Sequence, residues 1–147
     1  FTPLDFGLVG FSFACGLGVK VACPDKTVVS LMGDGGFGMT ISELSTAVQY
    51  GINTITIIMN NNSWGAEKAY QKDFFGKRYI GADISSPPFD KVAQLYGAKG
   101  FEVNKVSEVN EALKAALKCN KPAVINVNVD PKALYSFRRD SFKHRTK

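Results

Sequence analysis

The sequence predicts an α/β domain built on an open, mostly parallel sheet with helices on both faces. Three observations carry that expectation. Runs rich in β-branched residues recur at 27–32 (TVVSLM), 54–59 (TITIIM) and 123–129 (AVINVNV). The first is a continuous run, as expected for a buried parallel strand. Stretches with helical spacing lie between them, and glycine, proline or asparagine marks the junctions. Strands that alternate with helices imply parallel pairing through crossover connections.

The elements follow in order. Residues 7–23 read as a glycine-rich buried helix closed by Pro24-Asp25, and the strand at 27–32 follows. Glycines 33, 35, 36 and 38 come next, then a helix at about 39–50 that stops at Gly51. The strand at 54–59 is broken by Asn60-Asn61-Asn62. Residues 89–96 look helical before Gly97, and 100–103 make a short strand. Residues 106–119 form an amphipathic helix with Val109, Leu113, Ala116 and Leu117 on one face and Ser107 as N-cap. The strand at 123–129 completes the set. No internal repeat and no low-complexity segment interrupts this order.

Size and composition bound the function classes. A chain of 147 residues fits one domain with a core of its own. With 45% hydrophobic and 21% charged residues it has an ordinary globular composition. No run approaches the roughly 18 apolar residues of a membrane span, so a membrane is not expected as a partner. The chain begins at Phe1 rather than Met, which suggests a domain whose N-terminal part is missing. Cys15, Cys23 and Cys119 form neither a CxxC pair nor a Cys/His cluster. They suit reduced thiols in a cytoplasmic protein, each as a small buried hydrophobe.

The net charge of +5 lies entirely in the tail. From Lys132 onward there are six basic residues and one acid, Asp140, while the 131 residues before it balance at twelve against twelve. The expected division is therefore a domain at 1–131 and a basic tail at 132–147. Such a tail can bind RNA, dock on an anionic surface or simply be solvated. A nucleotide- or nucleic-acid-binding module is one competing reading, but the chain lacks GxGxxG and no nucleic acid is expected.

Two strand ends carry unusual chemistry. The first runs into Gly33-Asp34-Gly35-Gly36, the second into Asn60-Asn61-Asn62. Ligands of open parallel sheets bind beyond the carboxyl ends of the strands. Glycines at a helix start let backbone N–H groups approach a phosphate. A carboxylate among those glycines makes sense when a cation sits between it and the phosphate. Magnesium takes roughly six hard oxygens, usually one or two carboxylates with phosphate and water. Asp34 can supply the carboxylate, an asparagine the amide oxygen and the backbone a carbonyl. The bland alternative is a helix-capping aspartate and an asparagine turn; the coincidence at two strand ends weighs against it.

Gly33-Asp34-Gly35 followed by Asn60-Asn61, at this separation, resembles the GDG…NN signature of thiamine-diphosphate enzymes. The resemblance covers nearly the whole chain and implies the domain that holds the cofactor's diphosphate. It implies Asp34, the Asn61 side chain and the Ser63 carbonyl as magnesium ligands. The Gly33 turn with the Gly35 and Gly36 backbone would meet the diphosphate, and Asn60 would tie the loop. Phe6-Gly7-Leu8-Val9-Gly10 is similar to the segment that grips the aminopyrimidine. There the Gly7 carbonyl would accept from the amino group and Val9 would wedge the cofactor into its bent shape.

The run Asn61-Asn62-Ser63-Trp64-Gly65-Ala66-Glu67-Lys68, with Gln71, Phe74, Arg78 and Phe137-Arg138-Arg139-Asp140, most resembles the sulfoacetaldehyde acetyltransferase family. That likeness implies release of sulfite from sulfoacetaldehyde and transfer of the acetyl group to phosphate. Acetolactate-synthase-type and 2-oxo-acid decarboxylase enzymes, or a cofactor-binding subunit without chemistry, are the alternatives. Glu67, placed on the loop over the cofactor, would move protons; the plainer reading is a helix N-terminal residue that complements the dipole. Arg78, Arg138 and Arg139 would serve the anionic substrate and acceptor, and Trp64 would close the pocket or fill core. His144 reads as solvated. The glutamate that activates the cofactor's pyrimidine has no match here, since neither Glu43 nor Glu67 fits by position. The resemblance therefore implies a partner domain carrying it, a small-molecule substrate and a homo-oligomer, dimer or tetramer.

Overall fold

In the computed structural model, which describes residues 1–2 and 7–135, four strands form one parallel sheet. Their chain order is β1 (Val29–Gly33), β2 (Ile55–Asn60), β3 (Lys99–Val103) and β4 (Ala123–Asn128). In space the order is β1-β2-β4-β3, so β4 inserts between its two predecessors. The register pairs Gly33 with Met59 and Asn60 with Asn128, which brings the carboxyl ends of β1, β2 and β4 to one level.

Among the described residues, six α-helices link and cover the strands. They are α1 (Phe11–Ala22), α2 (Asp34–Thr40), α3 (Glu43–Gln49), α4 (Gly65–Phe74), α5 (Phe89–Leu95) and α6 (Val109–Lys118). Side chains from α1, α2, α3 and α5 close one core over Ile58 and Val124, built on Phe13, Leu17, Phe37, Leu44, Ala47, Phe89 and Ala93. The Phe37 ring lies 5.2 Å from both Phe13 and Phe89, the second edge-on. On the other face α6 packs Val109, Leu113 and Ala116 over Ile55, Ile125 and Val103. Helices thus cover both faces, as the sequence implies.

Several boundaries move, each for a local reason. The helix expected at 39–50 begins at Asp34 and is interrupted at Ile41 and Ser42, giving α2 and α3. The glycines therefore sit inside the first turns of a helix, not in a loop before it. The helix expected from Gly7 starts at Phe11, because Gly10 takes φ 87° at its N-cap. Ser107 is not an N-cap: it lies in a short 3-10 turn, Val106–Glu108, and the Glu108 carboxylate accepts from the Asn104 and Lys105 amides instead. Strand β1 is an edge strand, and Val29 and Leu31 are exposed rather than buried. The cysteines are free thiols, but Cys23 is exposed and the other two are only partly covered. Helix α4 has one buried side chain, Ala69, and little apolar periodicity, and the sequence offers it only as the plainer reading of Glu67.

Candidate functional site

The site is assembled where β1 and β2 end. Gly33 closes β1 in an extended conformation, and the chain turns at once into α2 with Asp34 as its first residue. Asp34 is 2% exposed. Its Oδ2 accepts from the Ser86 hydroxyl at 2.6 Å. Among the described residues it makes no ion pair. A buried carboxylate without a cation is costly, and the helix N-terminus beside it offsets only part of that cost.

From β2 the chain leaves as Asn60-Asn61-Asn62, and the side chains shape the loop. The Asn60 Oδ1 accepts from the Asn62 amide at 3.2 Å, and the Asn61 Oδ1 from the Ser63 amide at 3.2 Å. Asn62 adopts φ 54°, a left-handed conformation that asparagine tolerates better than most residues. The loop is pinned from outside by an antiparallel bridge between Ser63 and Asp83. Trp64 donates its amide to the Ala82 carbonyl at 2.8 Å, and Ile84 donates to that of Asn62 at 3.0 Å. Lys68 adds an ion pair to Asp83. The segment 82–86 thus braces both strand ends, the second through backbone and the first through Ser86.

Close approach explains two glycines. A β-carbon on Gly35 would stand 2.5 Å from the Trp64 ring, so the indole lies flush on the α2 backbone. One on Gly65 would stand 2.7 Å from the Asn61 amide nitrogen, so any larger residue there would displace that side chain. On the far side, a β-carbon on Gly36 would touch the Val9 side chain and the Gly10 nitrogen, each at 3.7 Å. The stretch around Gly7 and Val9 therefore meets the Gly33 turn in space.

Nine of the residues singled out from the sequence line one cleft of about 620 Å³: Gly7, Val9, Gly33, Asp34, Gly35, Gly36, Asn61, Ser63 and Glu67. Leu8, Leu31 and Met59 give it an apolar wall, and each is substantially exposed. Glu67 stands at the rim on the first turn of α4, not on a loop. Trp64 lines this cleft and also a neighbouring pocket of about 350 Å³ that reaches Ser86 and Phe89. Arg78 lies elsewhere, exposed in the turn after α4, and Gln71 is spent on the Ile80 backbone. Phe6, Phe137, Arg138, Arg139, Asp140 and His144 lie outside the described residues.

These residues fit a cation held against a diphosphate. The buried Asp34 has no cationic partner among the described residues, and the Ser63 hydroxyl is buried with no hydrogen-bond partner. Carboxylate, amide and backbone oxygens are the hard donors that magnesium takes. The N-terminal turn of α2 presents glycine N–H groups, which favour an anion. Sequence reasoning missed Ser86, Gly65 and Asn126, the last lying beneath Asn60. Ser86 contacts Asp34 across 52 residues, a separation at which no local pattern speaks.

Comparison with known proteins agrees with this geometry. Residues 1–127 match the family described as thiamine pyrophosphate enzyme, C-terminal TPP binding domain. A sulfoacetaldehyde acetyltransferase from Alcaligenes xylosoxydans xylosoxydans is 34% identical over 145 residues, covering 96% of this chain and 24% of its own. The acetolactate synthase large subunit of Haemophilus influenzae is 40% identical over 126 residues, covering 84% and 22%. The solved thiamine diphosphate-dependent 4-hydroxybenzoylformate decarboxylase of Rhodococcus jostii RHA1 superposes with a TM-score of 0.77 at 32% identity, over 83% of this chain and 23% of its own. The chain spans about a quarter of the length of these relatives.

Proposed function

The chain belongs to the thiamine pyrophosphate enzymes as their C-terminal cofactor-binding domain, which binds thiamine diphosphate with Mg²⁺, and from that premise we propose how its own residues do so. Asp34, the Asn61 side chain and the Ser63 carbonyl hold the magnesium, and the Gly35 and Gly36 amides meet the diphosphate. Gly7 and Val9 receive the aminopyrimidine on the opposite side of the cleft. The observation that carries this reading is the convergence of those nine residues on one cleft around a buried carboxylate with no cation of its own among the described residues.

Bound thiamine diphosphate supplies a carbon nucleophile that adds to carbonyl carbons. The chain's part is to fix the diphosphate, present an apolar wall from Leu8, Val9, Leu31 and Met59, and place the Glu67 carboxyl at the rim of the cleft as a proton relay. The Glu67 carboxyl is exposed at the rim, where it can exchange protons with water and with a substrate oxygen. The complete protein is an acetyltransferase that takes sulfoacetaldehyde and phosphate to acetyl phosphate and sulfite. The run at 61–68 and the similarity to a sulfoacetaldehyde acetyltransferase over 96% of the chain support that choice. Acetolactate synthesis is the second reading, supported by 40% identity to the Haemophilus influenzae large subunit. The activating glutamate, on a further domain, and a homo-oligomeric assembly complete the site, and the compartment is the cytoplasm.

Titration calorimetry tests the cofactor site. Thiamine diphosphate is expected to bind with Mg²⁺ and not with chelator, and Asp34→Ala to abolish binding; equal affinity in both conditions would sink the reading. Sulfite release from sulfoacetaldehyde by the complete protein, dependent on phosphate, tests the chemistry. Condensation of two pyruvates with no response to sulfoacetaldehyde would replace it with the second reading.

A further inference from the structure

A row of side-chain amides crosses the carboxyl ends of β2, β4 and β3 on the α2 face of the sheet. Asn60 Nδ2 donates to Asn126 Oδ1 at 3.0 Å, and Asn126 Nδ2 donates to Asn128 Oδ1 at 3.0 Å. Asn128 Nδ2 donates in turn to Asn104 Oδ1 at 2.7 Å and to the Glu102 carboxylate at 3.2 Å. At the other end Asn60 Oδ1 accepts the Asn62 amide. Asn60 and Asn126 are buried, whereas Asn128 and Glu102 stand in solvent. Every link runs the same way, from the backbone of the Asn61 loop to an anion at the sheet surface.

We propose that Asn126 and Asn128, ending on Glu102, are positioning residues for the metal-holding loop. The proposal rests on the metal-site reading above. A buried amide is costly unless paired, so the two buried asparagines, Asn60 and Asn126, need a reason at a sheet end. Like-oriented hydrogen bonds strengthen one another in a low dielectric. Each amide that donates becomes a better acceptor at its own carbonyl, and the Glu102 charge drives this polarisation toward Asn60. Asn60 thereby grips the Asn62 amide and fixes the left-handed turn that aims Asn61 and Ser63 into the cleft. Partners that orient a metal ligand commonly influence affinity by about 10–100-fold. Sheet hydrogen bonds alone do not account for the arrangement, because Asn60 and Asn128 already share their ladder through the backbone.

The test uses the full chain with Asn126→Leu, near in volume, and with Asn128→Ala at an exposed position that leaves the core untouched. Hydrogen exchange of the Asn62 and Ser63 amides in metal-free protein reads the loop directly. The fluorescence of Trp64, the sole tryptophan, reads the Mg²⁺ concentration that half-saturates thiamine diphosphate binding. Both variants are expected to exchange those two amides about tenfold faster, with the α6 amides unchanged, and to need about tenfold more Mg²⁺. Glu102→Gln, which keeps an acceptor but loses the charge, is expected to fall between the wild type and Glu102→Leu in both measurements. Unchanged exchange at Asn62 and Ser63 in folded Asn128→Ala protein overturns the proposal. A wild-type chain whose tryptophan ignores Mg²⁺ and cofactor overturns the metal-site reading instead, while the exchange result still decides the role of the asparagine row.

Discussion

Replacing Asp34 by asparagine should stabilise the ligand-free protein while destroying its response to metal. Asp34 is 2% exposed and accepts from the Ser86 hydroxyl, with no ion pair among the described residues. The effective cost of such a desolvated carboxylate is several kcal/mol. The α2 N-terminus returns about 1–2 kcal/mol at a buried position. The Ser86 bond, being charge-assisted, is worth about 1 kcal/mol more than its neutral counterpart. Taking the desolvation cost at about 4 kcal/mol, about 1–2 kcal/mol is left uncompensated, and the Asp34→Asn change removes it while keeping the shape and an acceptor for Ser86. For a domain of this size that corresponds to a melting temperature higher by about 3–6 °C. Calorimetric melting in chelator measures it. With Mg²⁺ and thiamine diphosphate added, the wild type should gain stability by mass action and the Asp34→Asn variant should not. A variant that melts below the wild type in chelator would refute the argument, since the carboxylate would then be compensated by contacts within the fold.

Two further outcomes follow from the packing and the electrostatics. Gly35→Ala drives a methyl into the Trp64 ring; the overpacking costs about 1–3 kcal/mol and the better helix propensity returns at most about 1. A lower melting temperature together with weakened cofactor binding is expected, and an unchanged tryptophan spectrum would count against the contact. The Glu108 carboxyl is held below its ordinary pKa by the Asn104 amide first and the Lys105 amide next. A lowered folded-state pKa adds stability above the unfolded value and loses it as pH falls through the folded one. Glu108→Gln should therefore melt slightly below the wild type at neutral pH, with the gap closing in acid; a gap that widens in acid would contradict the assignment.

The sheet was readable because its strands advertise themselves. β-Branched runs predicted β2 and β4 to within a residue or two, and β3 emerged from a short apolar stretch before Asn104. Helix α6 was readable from its 3.6-residue stripe, apart from its cap. Helix α4 was not, because it has one buried side chain and is held by the 82–84 segment rather than by an apolar face. The start of α2 was misplaced because glycines favour turns locally. Here the turn they make is helical, and their value is the close contact of Gly35 with Trp64. Exposure of β1 was equally hidden, since a strand's sequence records its apolar content and not the neighbours it has.

The residues that line the cleft stand out in the sequence, and the reason is chemical. A carboxylate among glycines and a triplet of asparagines are poor choices for packing, so local rules broken at two strand ends point to a ligand. Parallel topology then makes the meeting inevitable, because adjacent strands such as β1 and β2 deliver their carboxyl ends to the same edge. What the sequence could not disclose is everything that holds those residues still. Ser86 reaches Asp34 from the far end of the α4–α5 connection, and Asn126 reaches Asn60 from the last strand. Both are ordinary polar residues in sequence and become specific only when the chain closes around them. The proposed ligating atoms are thus written locally, whereas their aim is a property of the assembled sheet.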